Sequence, residues 1–340
     1  MSHQTSRTAP TRTALIIGAT GSFGLHAALA LIGHGWTVRG LARDPAAAAA
    51  RVGARTPIEW VQGDAMKPAE VMAAAKGVSL IVHGANPPRY RNWRGLARQM
   101  LAASIAAAKA EGARIVLPGT VYNFAPGSGP LIGEAAPQQP VTRKGAIRVE
   151  MEAMLREASQ AGARALVLRA GDFFGPDAPN SALAWLVRRA KGRVSGVYEA
   201  GPASVGHAFA YLPDLAETMA QLVEREDELA AFEVFHFRGH WLEGKHSLAA
   251  AVRRVTGRPD LKASPFPFAL LWALSPFNET FREMLEMRYL WNRPIGLDNA
   301  KLVAFLGAEP HTDLDTAVRA ALGDLETAAQ PALAGRPAMA

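Results

Sequence analysis

Residues Ala14 to Gly24 read Ala-Leu-Ile-Ile-Gly-Ala-Thr-Gly-Ser-Phe-Gly, a short apolar run that drops straight into three glycines, Gly18, Gly21 and Gly24. The stretch that follows, from Leu25 to Ile32, is helix-prone. Strand, tight glycine turn and helix in that order leave bare main chain where an anion can approach. Glycine lacks the Cβ that would block the approach, and the next helix aims its free N–H groups at the turn. In an open α/β sheet, a pyrophosphate is the group such a turn receives.

The same rhythm continues. Beta-prone runs at 37–42, 58–62, 80–83, 114–117 and 165–169 alternate with Ala-rich helical stretches such as 96–110 and 147–160. Buried runs separated by helices predict a Rossmann-type, doubly wound parallel α/β sheet, because parallel strands need crossover helices. After Arg169 the alternation breaks at Pro176, Pro179 and a Gly/Ser stretch over 192–206. Residues 213–225 read as a helix with Asp214 as its cap, and 232–237 as a last strand. These patterns predict a dinucleotide-binding domain over 13–175 and 207–238, and a smaller substrate lobe over 176–206 and 239–322. Disordered tails are expected at 1–12 and 323–340.

Hydrophobic content of 49% against 20% charged residues is that of a globular chain. Cysteine is absent, which excludes disulfides and thiolate chemistry and fits a cytoplasmic setting. The net charge of +7 is scattered, without the concentrated stripe that nucleic-acid binding requires. No apolar run is long enough to span a bilayer, and the polar start has no signal-peptide core.

The spacing G-x-x-G-x-x-G differs from the G-x-G-x-x-G of ordinary dinucleotide dehydrogenases. It resembles the glycine loop of extended short-chain dehydrogenases/reductases, the NAD-dependent epimerase/dehydratase family. The resemblance implies that Gly18, Thr20, Gly21, Ser22, Phe23 and Gly24 cradle the cofactor. It also implies that Asp64, after the third strand, lies beside the adenine, and that His83, Gly84 and Ala85 lie beside the ribose and pyrophosphate. The segment Leu168-Arg-Ala-Gly-Asp-Phe-Phe-Gly-Pro176 is similar to the family's element that shapes the nicotinamide and substrate site. This adds Arg169 as a cofactor candidate and Asp172 and Phe173 as substrate candidates. Asp64 and His83 could also be a turn residue and a core residue.

Arg43 follows the second strand, where an acid would bond the ribose 2′-hydroxyl and a cation would accept a 2′-phosphate. With Arg39 nearby, the pattern favours NADP, while Asp44 keeps NAD open. Asp44 also fits as the cap of the next helix.

The resemblance stops at the catalytic centre. The family uses Ser/Thr, Tyr and Lys, the last two as Y-x-x-x-K, in which the Tyr hydroxyl moves the proton. Aligning the helix that begins near Pro140 on Glu152 puts Lys144 at the Tyr position and Arg148 at the Lys position; no register supplies a Tyr. The family's Ser position falls on Pro118, with Thr120 close by and Tyr122 just beyond. Three readings stay open. Lys144 is the acid/base, its pKa lowered by Arg148 and apolar walls; or Tyr122 or a residue of the second lobe supplies the proton; or no chemistry occurs. Lys144, Thr120, Tyr122 and Arg148 are therefore the catalytic candidates, Lys144 doubling as a ribose contact. Asn86, Tyr90 and Arg91 sit in a loop at the ligand edge and are substrate candidates.

His236, His240 and His246 lack carboxylates at ligand spacing, so no metal is expected. The apolar stretch 265–290 reads as the core of the second lobe and the wall of a pocket that residues 288–293 could line; a membrane-surface or dimer contact is the lesser option. The functional expectation is an NAD(P)-dependent oxidoreductase or epimerase with an atypical site, acting on a small molecule. The alternative is a non-catalytic, NADP-responsive binding protein.

Overall fold

The computed structural model describes residues 12–53, 56–87, 93–244 and 247–327. Its centre is a seven-stranded parallel sheet of β1 (Thr13–Ile17), β2 (Thr37–Ala42), β3 (Ile58–Gln62), β4 (Leu80–His83), β5 (Arg114–Thr120), β7 (Arg164–Ala170) and β12 (Phe232–His236). The spatial order is β12-β7-β5-β4-β1-β2-β3. The order reverses between β1 and β4, the switch point where open sheets bind ligands at their carboxyl edge. The glycine turn emerges there.

Alternation along β1 shows why the sheet needs two layers of helices. Ala14 and Ile16 pack with Phe23, Ala27 and Leu31 of α1 (Ser22–Gly33) and with Leu215 and Met219 of α7 (Leu212–Glu224). Leu15 and Ile17 point the other way, into a core with Val71 of α3 (Pro68–Ala74), Leu101 of α4 (Trp93–Glu111) and Ile147, Met151 and Leu155 of α5 (Arg143–Gln160). Each face thus buries one register of side chains, the demand that period-two alternation makes. The remaining first-half helix is α2 (Pro45–Val52).

The other short strands are β6 (Leu131–Ile132), β8 (Asp172–Phe174), β9 (Val187–Ala190), β10 (Arg193–Glu199), β11 (His207–Tyr211), β13 (His240–Leu242), β14 (Ala263–Pro265) and β15 (Gly296–Leu297). They form three small sheets, β14-β10-β9, β13-β11-β8 and β15-β6. With α6 (Ala182–Leu186), α8 (Leu248–Thr256) and α13 (Leu314–Thr327), the first two of these sheets enclose a third core around Phe174, Phe209, Leu242, Val252 and Val318. Helices α9 (Phe268–Leu274), α10 (Glu279–Glu286), α11 (Tyr289–Asn292) and α12 (Ala300–Leu306) complete the chain. A fourth cluster joins Val121 and Phe124, just past β5, to Leu290, Ile295 and Leu297 of the C-terminal part.

Four details depart from expectation. Asp214 does not cap α7, whose cap is Tyr211; its carboxylate instead accepts from Thr312 N at 2.6 Å and Thr312 Oγ1 at 2.7 Å. Helix α13 continues to Thr327, past the expected end of order at 322. The stretch around α9 is not all core, since Leu270, Trp272, Leu274 and Phe277 are exposed. Arg39 is turned away from the cofactor edge, donating to the carbonyls of Ala74 and Lys76 at the end of α3.

Candidate active site

The glycine turn is built by backbone contact. Gly18 has φ +91°, and a Cβ there would lie 2.8 Å from Ala85 N and 2.8 Å from Gly84 C. Only glycine lets the β1 turn lie against the Gly84-Ala85 turn that ends β4. Gly21 precedes α1 as its cap and offers no side-chain oxygen, and the first turn of α1 holds no acidic residue. The first-turn N–H groups of Ser22, Phe23 and Gly24 are thus left to an external acceptor, and the helix dipole favours an anion there. Phe23 packs inward against Phe173, ring centroids 6.2 Å apart, which places Phe173 beneath the loop.

At the end of β2, Asp44 is occupied as the cap of α2, accepting from Ala47 N at 3.0 Å. Arg43 beside it is exposed. Asp64 makes a local turn, its Oδ1 accepting from Met66 N. His83 is buried under α4, where Ser104 Oγ donates to Met100 O and so accepts from His83 Nδ1 at 2.8 Å. Burial and the nearby Arg148 push its pKa down to about 3, so the ring is neutral.

The second half of the site gathers where α5 begins. Thr142 caps α5, and Gly145 in its first turn lets the Tyr122 carbonyl approach where a Cβ would collide with it. This close approach brings the Val121–Asn123 turn onto the start of α5. Thr120 Oγ1 is used within that turn, accepting from Tyr122 N and donating to Asn123. Lys144 is 2% exposed, with Nζ 3.5 Å from Glu283 Oε2 of α10. Burial pushes its pKa down to about 8, against the opposing pull of Glu283, Glu286 and Asp172. Its neighbour Arg143 pairs with Glu286 and Glu283, and Arg143 N donates to Glu286. Two carboxylates of α10 thus offset the cations that sit unfavourably at a helix N-terminus.

Four residues along, Arg148 reaches the ends of β5 and β4, donating to Pro118 O at 3.3 Å and Asn86 Oδ1 at 3.0 Å while lying over the Trp93 ring. Asn86 is therefore tied to Arg148. Tyr90 and Arg91 lie outside the described residues.

Tyr122 and Asp172 meet across the site, the hydroxyl donating to Oδ1 at 3.1 Å. The other oxygen, Oδ2, is 2.9 Å from His207 Nε2. His207 Nδ1 donates to Leu290 O at 3.1 Å, and the ring stacks on Trp291 at 3.7 Å and 3°. His207 thus bridges Asp172 to the backbone of α11, fixing the carboxylate that Tyr122 meets. His207 and Glu283 carried no signal in the sequence. They arrive through β11 and α10, far along the chain from α5.

Arg169 is committed elsewhere. Its guanidinium makes a two-pronged pair with Glu152 of α5 at 3.0 and 2.6 Å, and Nη1 donates to His236 Nε2 at 3.0 Å. His236 Nδ1 donates to Ile132 O, and burial with Arg169 alongside pushes its pKa down to about 4, which keeps that ring neutral and accepting. Asn123 and Gln138 also donate to Glu152. Arg169 is 1% exposed, and this pair pins β7 to α5.

A family model described as "NAD dependent epimerase/dehydratase family" matches residues 14–236. The chain belongs to that family. It is an enzyme family whose cofactor is a nicotinamide nucleotide, and the uncapped α1 and the glycine cradle fit such a group. No curated protein matches the chain. Among solved structures, UDP-glucose 4-epimerase from Bifidobacterium longum, in complex with NAD+ and UDP, is 16% identical with a TM-score of 0.71, covering 93% of this chain and 98% of its own. UDP-glucuronic acid 4-epimerase from Bacillus cereus is 14% identical with a TM-score of 0.72, covering 93% and 99%. MoeE5, in complex with UDP-glucuronic acid and NAD, is 17% identical with a TM-score of 0.72, again covering 93% and 99%.

As a member of the epimerase/dehydratase family, the chain should depend on its glycine turn for the cofactor. Gly18→Ala forces a Cβ into the β4 turn at a left-handed φ, strain of about 1–3 kcal/mol. The expected result is roughly 5- to 150-fold weaker binding of nicotinamide nucleotide in calorimetric titration. Affinity equal to wild type would show that the diphosphate lies elsewhere. Among the described residues, no helix is long and apolar enough to cross a membrane.

Proposed function

We propose that the chain is an NADP-dependent oxidoreductase or epimerase in which Lys144 is the proton-transferring group. The observation that carries this reading is a buried lysine with a pKa near 8 at the start of α5, beside Tyr122 and Asp172. A group titrating near neutral pH is suited to give and take a proton. The residues of the glycine turn would hold the cofactor diphosphate, and Arg43 the 2′-phosphate. When bound, the nicotinamide supplies or accepts a hydride at a carbon bearing a carbonyl or hydroxyl. In the oxidising direction Lys144 Nζ takes the hydroxyl proton, and in the reducing direction it returns one. Tyr122, held by Asp172 and His207, orients the substrate oxygen, while Arg148 fixes the ends of β4 and β5 around it.

The substrate enters beneath the lobe formed by 176–206 and 239–322. A groove of about 790 Å³ there is lined by Gly201, Pro202, Phe266, Phe268, Arg288 and Asn292. Glu199 also lines it, so apolar walls carrying a cation, an anion and an amide suit a polar metabolite. Two of the structural neighbours named above are in complex with UDP-glucuronic acid and the third with UDP, so sugar nucleotides head the list of substrates to test.

The test measures NADPH consumption with aldehydes, ketones and sugar nucleotides, together with chromatography of each sugar nucleotide, because epimerisation consumes no cofactor. Turnover of either kind supports the reading. Tight NADPH binding without turnover of any substrate overturns it in favour of the NADP-responsive binding protein.

Cofactor choice has its own test. Asp44 is spent as a helix cap, whereas the Arg43 guanidinium stands exposed at the end of β2. Arg43→Ala should lower the NADPH-to-NADH affinity ratio about tenfold, the usual scale of one hydrogen bond to a charged group. An unchanged ratio would remove Arg43 from cofactor recognition.

A further inference from the structure

We propose that Asp214, His240 and His311 form a binding site for a zinc-like divalent metal ion, apart from the nicotinamide site. The three residues come from the first turn of α7, the start of β13 and the loop before α13. One ligand atom of each lies within 4.8 Å of the others. Tetrahedral zinc with bonds of about 2.0–2.1 Å separates its ligands by about 3.3 Å, so small side-chain turns, for which the exposed His311 has room, would close the set. Two histidines and one carboxylate are a donor set zinc accepts, with a fourth position left to water.

Two features point to an ion rather than to polar packing alone. First, His240 is 6% exposed, and among the described residues its Nε2 has no hydrogen-bond partner. A buried ring nitrogen left without a partner is destabilising, which metal coordination would offset. Second, the Asp214 carboxylate is held by Thr312 N and Thr312 Oγ1, the kind of outer hydrogen bonding that orients a metal-ligating carboxylate. The His240 and His311 rings lie 4.5 Å apart, tilted by 45°. Asp313 also faces His240, but its Oδ1 caps α13 by accepting from Asp315 N and Thr316 N. An ion here would clip α7, β13 and the approach to α13 together.

The experiment is calorimetric titration of Zn2+ into the untagged, metal-stripped full chain, with Co2+ absorption spectra as a coordination readout. One ion per chain is expected, with the intense visible bands of tetrahedral Co2+. Loss of an outer hydrogen bond to a ligand typically weakens a metal roughly 10- to 100-fold, so loss of a ligand should cost at least about 100-fold. His311→Ala and His240→Gln should each show that loss, and Thr312→Val roughly a tenfold one. His311 is exposed, so its variant should melt with the wild type when metal is absent, which separates ligand loss from misfolding. Absence of stoichiometric binding, or wild-type affinity in His311→Ala, would overturn the site; the latter would place the ion elsewhere.

Discussion

Lys144→Met should lower kcat between about 100- and 10,000-fold, the range that a positioned proton donor contributes, while changing cofactor affinity far less. Methionine keeps most of the length and apolar bulk of lysine, so packing beneath α10 survives and the proton carrier is lost. The pH profile is the sharper test, because its direction follows from the pKa of about 8. Below that value Lys144 carries a proton to donate, and above it the amine has a free lone pair. Carbonyl reduction should therefore fall as pH rises through about 8, and alcohol oxidation should rise through the same region. Glu283→Gln removes the closest carboxylate holding the charged amine, so both inflections should move to lower pH. Full activity in Lys144→Met, or a profile flat across that range, would transfer the proton step to another group.

Arg169→Met should destabilise the fold by about 3–5 kcal/mol in urea denaturation, because it leaves the Glu152 carboxylate buried without its ionic partner. Asn123 and Gln138 still donate to that carboxylate but cannot neutralise it. The folded protein should bind cofactor as the wild type does, since the pair sits behind α5 and away from the glycine turn. Adding Glu152→Leu should recover most of the lost stability, as apolar replacement of a buried pair is often neutral or better. Wild-type stability with cofactor binding lost would instead give Arg169 the ligand contact expected from its motif.

These two residues mark how far the sequence could be read. The strands at 37–42, 58–62 and 80–83 were visible because each is a short beta-prone segment between helical stretches, and the structure has them at the same positions. The role of Arg169 was hidden. Its partner Glu152 lies on another element, and only the packing of α5 against β7 brings the two together. His207 was equally silent, since nothing near residue 207 indicates that its ring meets Asp172 on one side and Trp291 on its face. The histidines at 236–246 also show that nearness in sequence did not predict what each ring meets. His236 turns inward to Arg169, His246 lies outside the described residues, and His240 finds Asp214 and His311 instead.

What the chain carried by itself was the alternation of strand and helix, the glycine turn and the absence of a tyrosine from α5. Each is a local demand of a few consecutive residues, set by main-chain sterics or by side-chain period. Tertiary structure alone decided which charges are paired, which histidines are neutral and what faces Lys144. Those outcomes depend on burial and on partners supplied by segments distant along the chain, and neither burial nor electrostatic pairing exists before the elements pack.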